Sequence, residues 1–255
     1  MSSIAIEFKD VTKQFNNASS NAVDHVSFSV NEGEMITILG TSGCGKTTLM
    51  KMVNRLYEPT SGEIRIFGEN IADKDPIQLR RQIGYVIQQV GLFPHMTVEK
   101  NISVVPEILG WDQQRIDDRV TELLRLVNLD PGEYRERFPA QLSGGQQQRV
   151  GLARALAVYP KILLMDEPFG AIDAINRTNL QNELLSIHDE EKQTCLFVTH
   201  DVTEALKLGD RVLVMNEGRV QQFDKPEVLI RQPANEYVSS LFQSVVEGLE
   251  FFSQK

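Results

Sequence analysis

A glycine-rich segment at residues 40–47 constrains the fold of this chain more than any other feature. Its sequence, GTSGCGKT, fits the pattern G-x-x-x-x-G-K-[ST]. It directly follows the apolar run Met35–Leu39 and opens a helical pattern at residues 47–55. A strand, a glycine-rich turn and a helix in this order form a loop whose backbone N–H groups wrap phosphate oxygens. We therefore expect an α/β chain with a phosphate site here, and not merely a glycine-rich turn.

Residue types within the segment predict Mg-ATP as the ligand. Lys46 would bridge the β- and γ-phosphates, and the hydroxyl of Thr47 would ligate Mg²⁺. The predicted nucleotide-contacting residues of the segment are Gly40, Thr41, Ser42, Gly43, Cys44, Gly45, Lys46, Thr47 and Thr48.

The pattern of apolar residues predicts a layered α/β organisation. Antiparallel strands are expected at residues 4–8 and 22–30, and further strands at residues 64–67, 162–165, 195–199 and 212–215. Helices are expected at residues 113–128, 180–187 and 202–208, and strand signals largely stop between Pro94 and Pro139. Strands that alternate with helices indicate a mainly parallel sheet covered on both faces. The prediction is an α/β core with a helical insertion.

A second acidic element follows the glycine-rich loop. The apolar run at residues 162–165 ends in Asp166, and Glu167 comes next. Asp166 could hold Mg²⁺, and Glu167 could polarise the attacking water. An apolar run before Asp-Glu is by itself equally typical of a solvated strand end, but downstream of a phosphate loop it favours catalysis.

The segment Leu142–Gln146, LSGGQ, is the most specific feature of the chain. Ser143, Gly144 and Gly145 precede a helical stretch and predict a second phosphate-binding helix N-terminus. One ATP does not need two such loops from one chain, whereas two chains packed head to tail could each lend this loop to the other. The alternative is a serine N-cap with glycine in a turn.

These three segments, in this order and spacing, resemble the nucleotide-binding domain of ATP-binding-cassette (ABC) proteins. The resemblance implies a P-loop NTPase core with an antiparallel β subdomain and a helical signature subdomain. Residues 1–88 and 160–255 would form the core and β subdomain, and residues 89–159 the helical subdomain.

The resemblance also assigns four further roles. Gln88, with its neighbour Gln89 as the alternative, matches the glutamine that links Mg²⁺ to the membrane-subunit contact. Asp173 matches the D-loop, and His200 matches the histidine that contacts the γ-phosphate. Phe15 matches the aromatic position that stacks on adenine, although an isolated Phe is more often a core residue. The resemblance implies catalytic roles for Glu167, His200 and Gln88. It implies that Thr47, Gln88 and Asp166 bind the metal ion. The further nucleotide-binding residues it implies are Phe15, Ser143, Gly144, Gly145, Gln146 and Asp173.

Longer stretches are similar to the ATPase subunits of bacterial osmoprotectant importers, which move glycine betaine, choline or carnitine. They are PTSG at 59–62, residues 79–89, FPHMT at 93–97, residues 143–150 and RQPAN at 231–235. The resemblance implies a homodimer, membrane permease subunits, an extracytoplasmic solute-binding protein as an indirect partner, and a place on the cytoplasmic face of the bacterial membrane. Many such subunits carry a regulatory module after the ATPase, and we expect none here.

Composition narrows the function classes. The 26 Lys and Arg against 35 Asp and Glu give a formal charge of −9, which argues against non-specific nucleic-acid binding. Cys44 and Cys195 are too far apart in sequence to suggest a disulfide framework or a zinc site. We expect no signal peptide and no membrane-spanning segment. The alternatives are an importer ATPase for another solute, a non-transport ABC ATPase, and a nucleotide-binding module without turnover.

Overall fold

The computed structural model describes residues 3–16, 19–88, 91–170 and 172–253. The chain divides into two compact units, the first formed by Met1–Pro76 with Thr194–Lys255 and the second by Ile77–Gln193. The segment predicted as a helical insertion lies inside the second unit, which extends beyond it at both ends. Among the described residues, no helix is long and apolar enough to cross a bilayer.

The first unit contains a four-stranded antiparallel sheet in the order β2-β1-β4-β5. Phe8 lies directly opposite Phe28 in the β1–β2 ladder, and the two rings stack with centroids 4.5 Å apart. From Val26 to Asn31, buried and less buried residues of β2 alternate, as expected for a sheet with one covered face. Register shifts in the β1–β2 ladder interrupt this alternation in β1. The strands are β1 (Ile4–Lys13), β2 (Val23–Asn31), β4 (Ser61–Ile66) and β5 (Glu69–Asn70).

The first unit also contains strands in the order β10-β9-β3-β8, of which β3 is parallel to both β8 and β9. Every residue of β3 is buried, which fits a strand covered on both faces. The strands are β3 (Met35–Leu39), β8 (Thr194–Thr199), β9 (Arg211–Asn216) and β10 (Arg219–Asp224), and the helices are α1 (Lys46–Val53), α8 (Val202–Leu208), α9 (Pro226–Arg231) and α10 (Glu236–Ser253).

A buried apolar cluster joins these elements. It brings together one residue of β3, two of β9 and four from the helices α8, α9 and α10. Phe242 is among the largest fully buried side chains of the described part of the chain. The cluster comprises Leu39, Ala205, Val212, Val214, Leu229, Val238 and Phe242.

The second unit contains one parallel strand pair and most of the helices. Strand β6 (Ile83–Val86) pairs with β7 (Ile162–Asp166). The helices are α2 (Pro76–Arg81), which begins at the last residue of the first unit's N-terminal segment, α3 (Val98–Ile108), α4 (Gln113–Leu126), α5 (Pro131–Tyr134), α6 (Gly144–Leu156) and α7 (Ala174–Glu191).

Helix α4 shows why the apolar spacing identified a helix correctly. Its buried side chains include Ile116, Val120, Leu123 and Leu124, which recur at helical spacing. It begins where the carboxylate of Asp112 accepts the backbone N–H of Arg115. It ends two residues before the predicted limit, because Asn128 adopts a left-handed φ of 53°.

The sequence prediction of an α/β fold with a mainly parallel sheet is confirmed. Among the departures from the prediction, those at β1 and β10 arise from pairing with other strands. Strand β1 runs to Lys13, beyond the predicted residues 4–8, because it is paired with β2 on one side and β4 on the other. Strand β10 was not predicted: its residues are half-buried without clear alternation, and pairing with β9 is what makes it a strand.

Candidate active site

The glycine-rich loop connects β3 to α1, as predicted, and two of its glycines are required by the packing. Gly45 has a φ of 108°, and a Cβ there would lie 2.3 Å from the carbonyl oxygen of Ala22. A Cβ on Gly40 would lie 2.3 Å from the carbonyl oxygen of Met215. Neither position can accept a side chain without moving backbone. The loop is therefore held close to two neighbouring backbone segments.

Lys46 is folded back over the loop. Its Nζ donates to the carbonyl oxygens of Gly40 at 2.7 Å and Thr41 at 2.9 Å, and its side chain is buried. A buried ammonium needs such oxygen partners, and phosphate oxygens, which carry charge, are stronger acceptors than carbonyl oxygens. Helix α1 begins at Lys46, and its N-cap, Gly45, supplies no side-chain cap. The helix N-terminus and the lysine together form a cradle suited to a polyphosphate.

His200 leaves the sheet beside the glycine-rich loop. Leu39 pairs with Thr199 in the parallel β3–β8 ladder, so residues 40 and 200 follow two paired strand ends. His200 is exposed, while Thr199 is buried and donates from Oγ1 to Oε2 of Glu204 at 2.5 Å. The backbone N–H of Asp201 donates to the same Thr199 hydroxyl. These bonds fix the turn that carries His200.

Phe15 is not a core residue. The residue is 37% exposed, and its ring meets Tyr57 edge to face, with centroids 5.1 Å apart. Lys13 Nζ lies 5.3 Å from the centre of the Phe15 ring. An exposed aromatic face beside a lysine suits a flat, electron-rich ring such as adenine. Tyr57, which supports the ring, was not found from sequence, because nothing in its spacing links it to Phe15.

In the second unit, Gln88 and Glu167 meet. Val86 pairs with Met165 in the β6–β7 ladder, and both polar residues lie just beyond that pair. Gln88 Nε2 donates to Glu167 Oε2 at 3.2 Å. Glu167 has a left-handed φ of 45°, a strained conformation that non-glycine residues adopt mainly at turns and functional sites. Gln89, the alternative to Gln88, lies outside the described residues.

Two of the residues predicted to hold Mg²⁺ carry side-chain oxygens, and each lies in a different unit. Asp166 is buried at the end of β7, and Thr47 lies in the first turn of α1. Within the described ranges, no group of three or more His, Cys, Asp or Glu side chains could hold a metal ion. Mg²⁺ bound with phosphates usually takes only one or two protein ligands. The hydroxyl of Thr47 and the carboxylate of Asp166 are each of a chemical type that Mg²⁺ accepts as a ligand.

Ser143 is the N-cap of α6. Its Oγ accepts the backbone N–H of Gln146 at 3.3 Å, and Gln146 Oε1 accepts the N–H of Ser143 at 2.8 Å. Gln146 Nε2 donates to the hydroxyl of Tyr134 at 3.0 Å, a partner that sequence analysis missed. The serine-cap interpretation is thus correct for the local structure. It does not conflict with phosphate binding, because Ser143 and Gly144 are both exposed at this helix start.

Asp173 is the N-cap of α7. Its carboxylate accepts the side-chain amide of Asn176 at 2.7 Å and the backbone N–H of Asn176 at 3.1 Å. These hydrogen bonds lower the pKa of Asp173, the side-chain bond contributing most. Ala171, in the same predicted loop, lies outside the described residues.

Comparison with known proteins identifies the family. The family description ABC transporter matches residues 23–170. The glycine betaine uptake system ATP-binding protein YehX of Escherichia coli is 47% identical over 97% of this chain and 80% of its own length. The chain belongs to the ABC transporter family.

Other relatives of this ABC transporter protein are longer than the chain. The osmoprotectant import ATP-binding protein OsmV of Salmonella typhimurium is 53% identical over 92% of the chain. The choline transport ATP-binding protein OpuBA of Bacillus subtilis is 51% identical over 91% of the chain. The chain spans only 62% and 61% of these two relatives.

Solved structures support the same family fold. CbiO1 from Clostridium perfringens, part of an ABC transporter complex, matches with a TM-score of 0.84 at 26% identity, covering 97% of this chain and 99% of that one. The ATP-binding cassette MJ0796, solved as a dimer in a post-hydrolysis state with ADP and Pi, matches with a TM-score of 0.77 at 34% identity, covering 87% of this chain and 98% of that one.

Proposed function

We propose that this ABC protein hydrolyses Mg-ATP as the motor subunit of an importer for osmoprotectant quaternary amines. The proposal of ATP hydrolysis rests on the hydrogen bond from Gln88 to Glu167. It fixes one carboxylate oxygen of Glu167 beyond the paired ends of β6 and β7. A general base must be oriented before it can act, and an amide donor orients a carboxylate without protonating it.

Different residues of the chain are assigned to the phosphates, the base, the attacking water and the metal ion. The N–H groups of the glycine-rich loop and Lys46 bind the phosphates, and Phe15 stacks on the base. Glu167 takes a proton from the attacking water, while His200 donates a hydrogen bond to the γ-phosphate. Thr47, Asp166 and Gln88 would hold Mg²⁺, which would neutralise charge on the phosphate oxygens. Thr48 and Asp173 would contribute to nucleotide binding.

We further propose that two copies of the chain act head to tail. Ser143, Gly144, Gly145 and Gln146 of one copy would contact the γ-phosphate bound to the other. Support comes from the exposure of this helix start and from the dimeric state of the MJ0796 cassette. ATP then closes the dimer, and release of product reopens it.

The solute class rests on the relatives. Those named for glycine betaine, choline and osmoprotectant import are about 50% identical to this chain over nine tenths of it or more. The proposed partners are membrane permease subunits, with a solute-binding protein acting through them, and the proposed place is the cytoplasmic face of the bacterial membrane. No nucleic-acid partner is proposed.

Reconstitution tests the two parts of the proposal separately. The purified chain should hydrolyse ATP only with Mg²⁺, and Lys46→Ala should abolish both nucleotide binding and hydrolysis. Co-reconstituted with the permease subunits that bind it, the chain should drive uptake of radiolabelled glycine betaine, choline or carnitine. Hydrolysis without uptake of any quaternary amine would overturn the solute assignment and leave the ATPase standing. Absence of Mg-dependent hydrolysis in the complex would overturn both.

A further inference from the structure

The helices α6 and α7 each begin at a residue proposed to face nucleotide. Ser143 caps α6, and Asp173 caps α7. Any displacement of one helix along the other moves one of these starts relative to the other. The contacts between α6 and α7 therefore decide how the two loops are set with respect to each other.

One ion pair joins the two helices in their middle. Arg149 of α6 donates from Nη2 to Oε1 of Glu183 on α7 at 2.8 Å. The two side chains are 22% and 19% exposed, so the pair is only partly screened by solvent. Arg149 Nη1 also donates to the carbonyl oxygens of Val127 at 3.4 Å and Asn128 at 3.2 Å, at the C-terminal end of α4. Arg149 is thus held at two places, of which only one is on α7.

Packing beside the ion pair is incomplete. A cavity of about 20 Å³ is lined by Arg149 and Glu183 themselves and by apolar side chains of both helices, including Leu152, Leu180 and Leu184. Gln148 also lines it and is buried, and its Oε1 meets no hydrogen-bond donor in the described part of the chain. Atoms that border a void lose dispersion contacts, so apolar packing fixes α6 on α7 less firmly here than a filled contact would.

We propose that Arg149 and Glu183 are positioning residues that set the Ser143 loop relative to the Asp173 loop for ATP hydrolysis. The inference rests on the proposed function and concerns two residues that influence the rate of ATP hydrolysis. Neither residue touches nucleotide in this assignment. The ion pair is a directional contact, and it holds α6 against α7 at a point where apolar packing is incomplete.

The consequence differs from that of a merely structural ion pair. In the proposed arrangement, the glycine-rich loop and Lys46 supply most of the nucleotide affinity of an isolated chain, whereas hydrolysis in the dimer also needs the Ser143 and Asp173 loops in place. Loss of the pair should therefore lower kcat and leave nucleotide affinity unchanged. The expected fall lies between about twofold and thirtyfold, the range that residues acting through intervening contacts usually span.

The test compares Glu183→Gln with a matched ion pair in the same unit. Arg135 and Glu99 are 3.0 Å apart and 21% and 16% exposed, and Arg135 also keeps a second partner, Asp117. Glu99→Gln thus removes a pair of similar burial that does not join α6 to α7. Steady-state kcat and KM for Mg-ATP, affinity for a fluorescent ATP analogue, and Tm are measured for the wild type and both single variants.

We expect Glu183→Gln to lower kcat at unchanged nucleotide affinity, and Glu99→Gln to lower Tm at wild-type kcat. If Glu183→Gln has wild-type kcat, or if Glu99→Gln lowers kcat equally, the inference is wrong. A wild-type protein that does not hydrolyse ATP would instead defeat the proposed function.

Discussion

Gln88 donates a hydrogen bond to Glu167 across 79 residues of chain, at a distance of 3.2 Å. The two residues follow neighbouring parallel strands, which explains how residues distant in sequence meet. Because one oxygen of Glu167 accepts this bond, Gln88 can orient the proposed base as well as contribute to Mg²⁺ binding.

Glu167→Gln should retain ATP binding and lose hydrolysis by roughly two to four orders of magnitude, because an amide cannot take a proton from water. The ATP-bound dimer should accumulate and appear in size-exclusion chromatography with Mg-ATP. Gln88→Ala should give a smaller fall in kcat, since it removes the orienting donor and leaves the base. Normal turnover by Glu167→Gln would eliminate this residue as the base.

Gly45→Ala should abolish nucleotide binding and destabilise the fold, because the added Cβ meets the carbonyl oxygen of Ala22 at 2.3 Å in addition to the strain of a φ of 108°. Gly68→Ala is the matched control: its φ is 81°, but its Cβ would meet open space. The control should lose about 1 kcal/mol of stability or somewhat more from backbone strain and keep full nucleotide affinity. Calorimetric titration with ATP and thermal denaturation of both variants make the comparison. Equal ATP affinity in the two variants would contradict the close packing of the loop.

Phe15→Ala should weaken nucleotide binding by about 1 to 3 kcal/mol, the usual worth of a base–aromatic stack. Phe15→Tyr should bind as the wild type does. Tyr57→Ala should cause a smaller loss, because Tyr57 meets the Phe15 ring edge-on and does not replace it. Titration of each variant with ATP gives the order of their affinities. If Phe15→Ala binds ATP with wild-type affinity, Phe15 has no role in base binding.

Leu92→Glu should leave the ATPase activity of the isolated chain intact and abolish co-purification with the permease. We propose the segment Gly91–Met96 as the surface that docks on the permease, and it presents a half-buried Leu92 and a Phe93 that is 39% exposed. Buried Asn101 holds its backbone, donating to the carbonyl oxygens of Phe93 at 3.1 Å and Met96 at 3.2 Å. Such exposure is more than core residues show, which favours docking over the alternative that these side chains fill the helical core.

The control for this prediction is Ile77→Glu, which charges another exposed apolar position of the second unit, 58% accessible. It should assemble with the permease normally. An unfolded Leu92→Glu, or one that assembles and supports uptake, would show that the dock lies elsewhere.

Glu34→Gln should destabilise the protein at neutral pH and have a vanishing effect in acid. Burial raises the pKa of Glu34, but hydrogen bonds from Arg211 and from the backbone N–H of Asn31 outweigh it, so the pKa lies below its usual value of 4.5. A lowered carboxylate pKa stabilises the fold above the unfolded-state pKa, and this stabilisation is lost as the pH falls through the folded-state value. Urea denaturation should give a difference of roughly 1.5 to 3 kcal/mol at pH 7 that shrinks below about pH 4.5. A difference independent of pH would refute the assignment.

The sequence by itself determined the fold class and the chemistry of the loops. The order of apolar strand, glycine-rich turn and helix is a local pattern, since each residue there depends mainly on its neighbours for conformation. The same is true of the apolar spacing of α4 and of the serine cap on α6. These features could be recognised without knowing what packs against them.

Only the tertiary structure decided which distant side chains meet. The bond between Gln88 and Glu167, the support of Phe15 by Tyr57, and the pair formed by Arg149 and Glu183 all join residues 34 or more positions apart. Such contacts depend on strand order, register and helix packing, none of which leaves a periodic signal in the sequence. The extent of β1 and the existence of β10 have the same origin, because a strand is defined by its hydrogen-bonded neighbours as much as by its own residues.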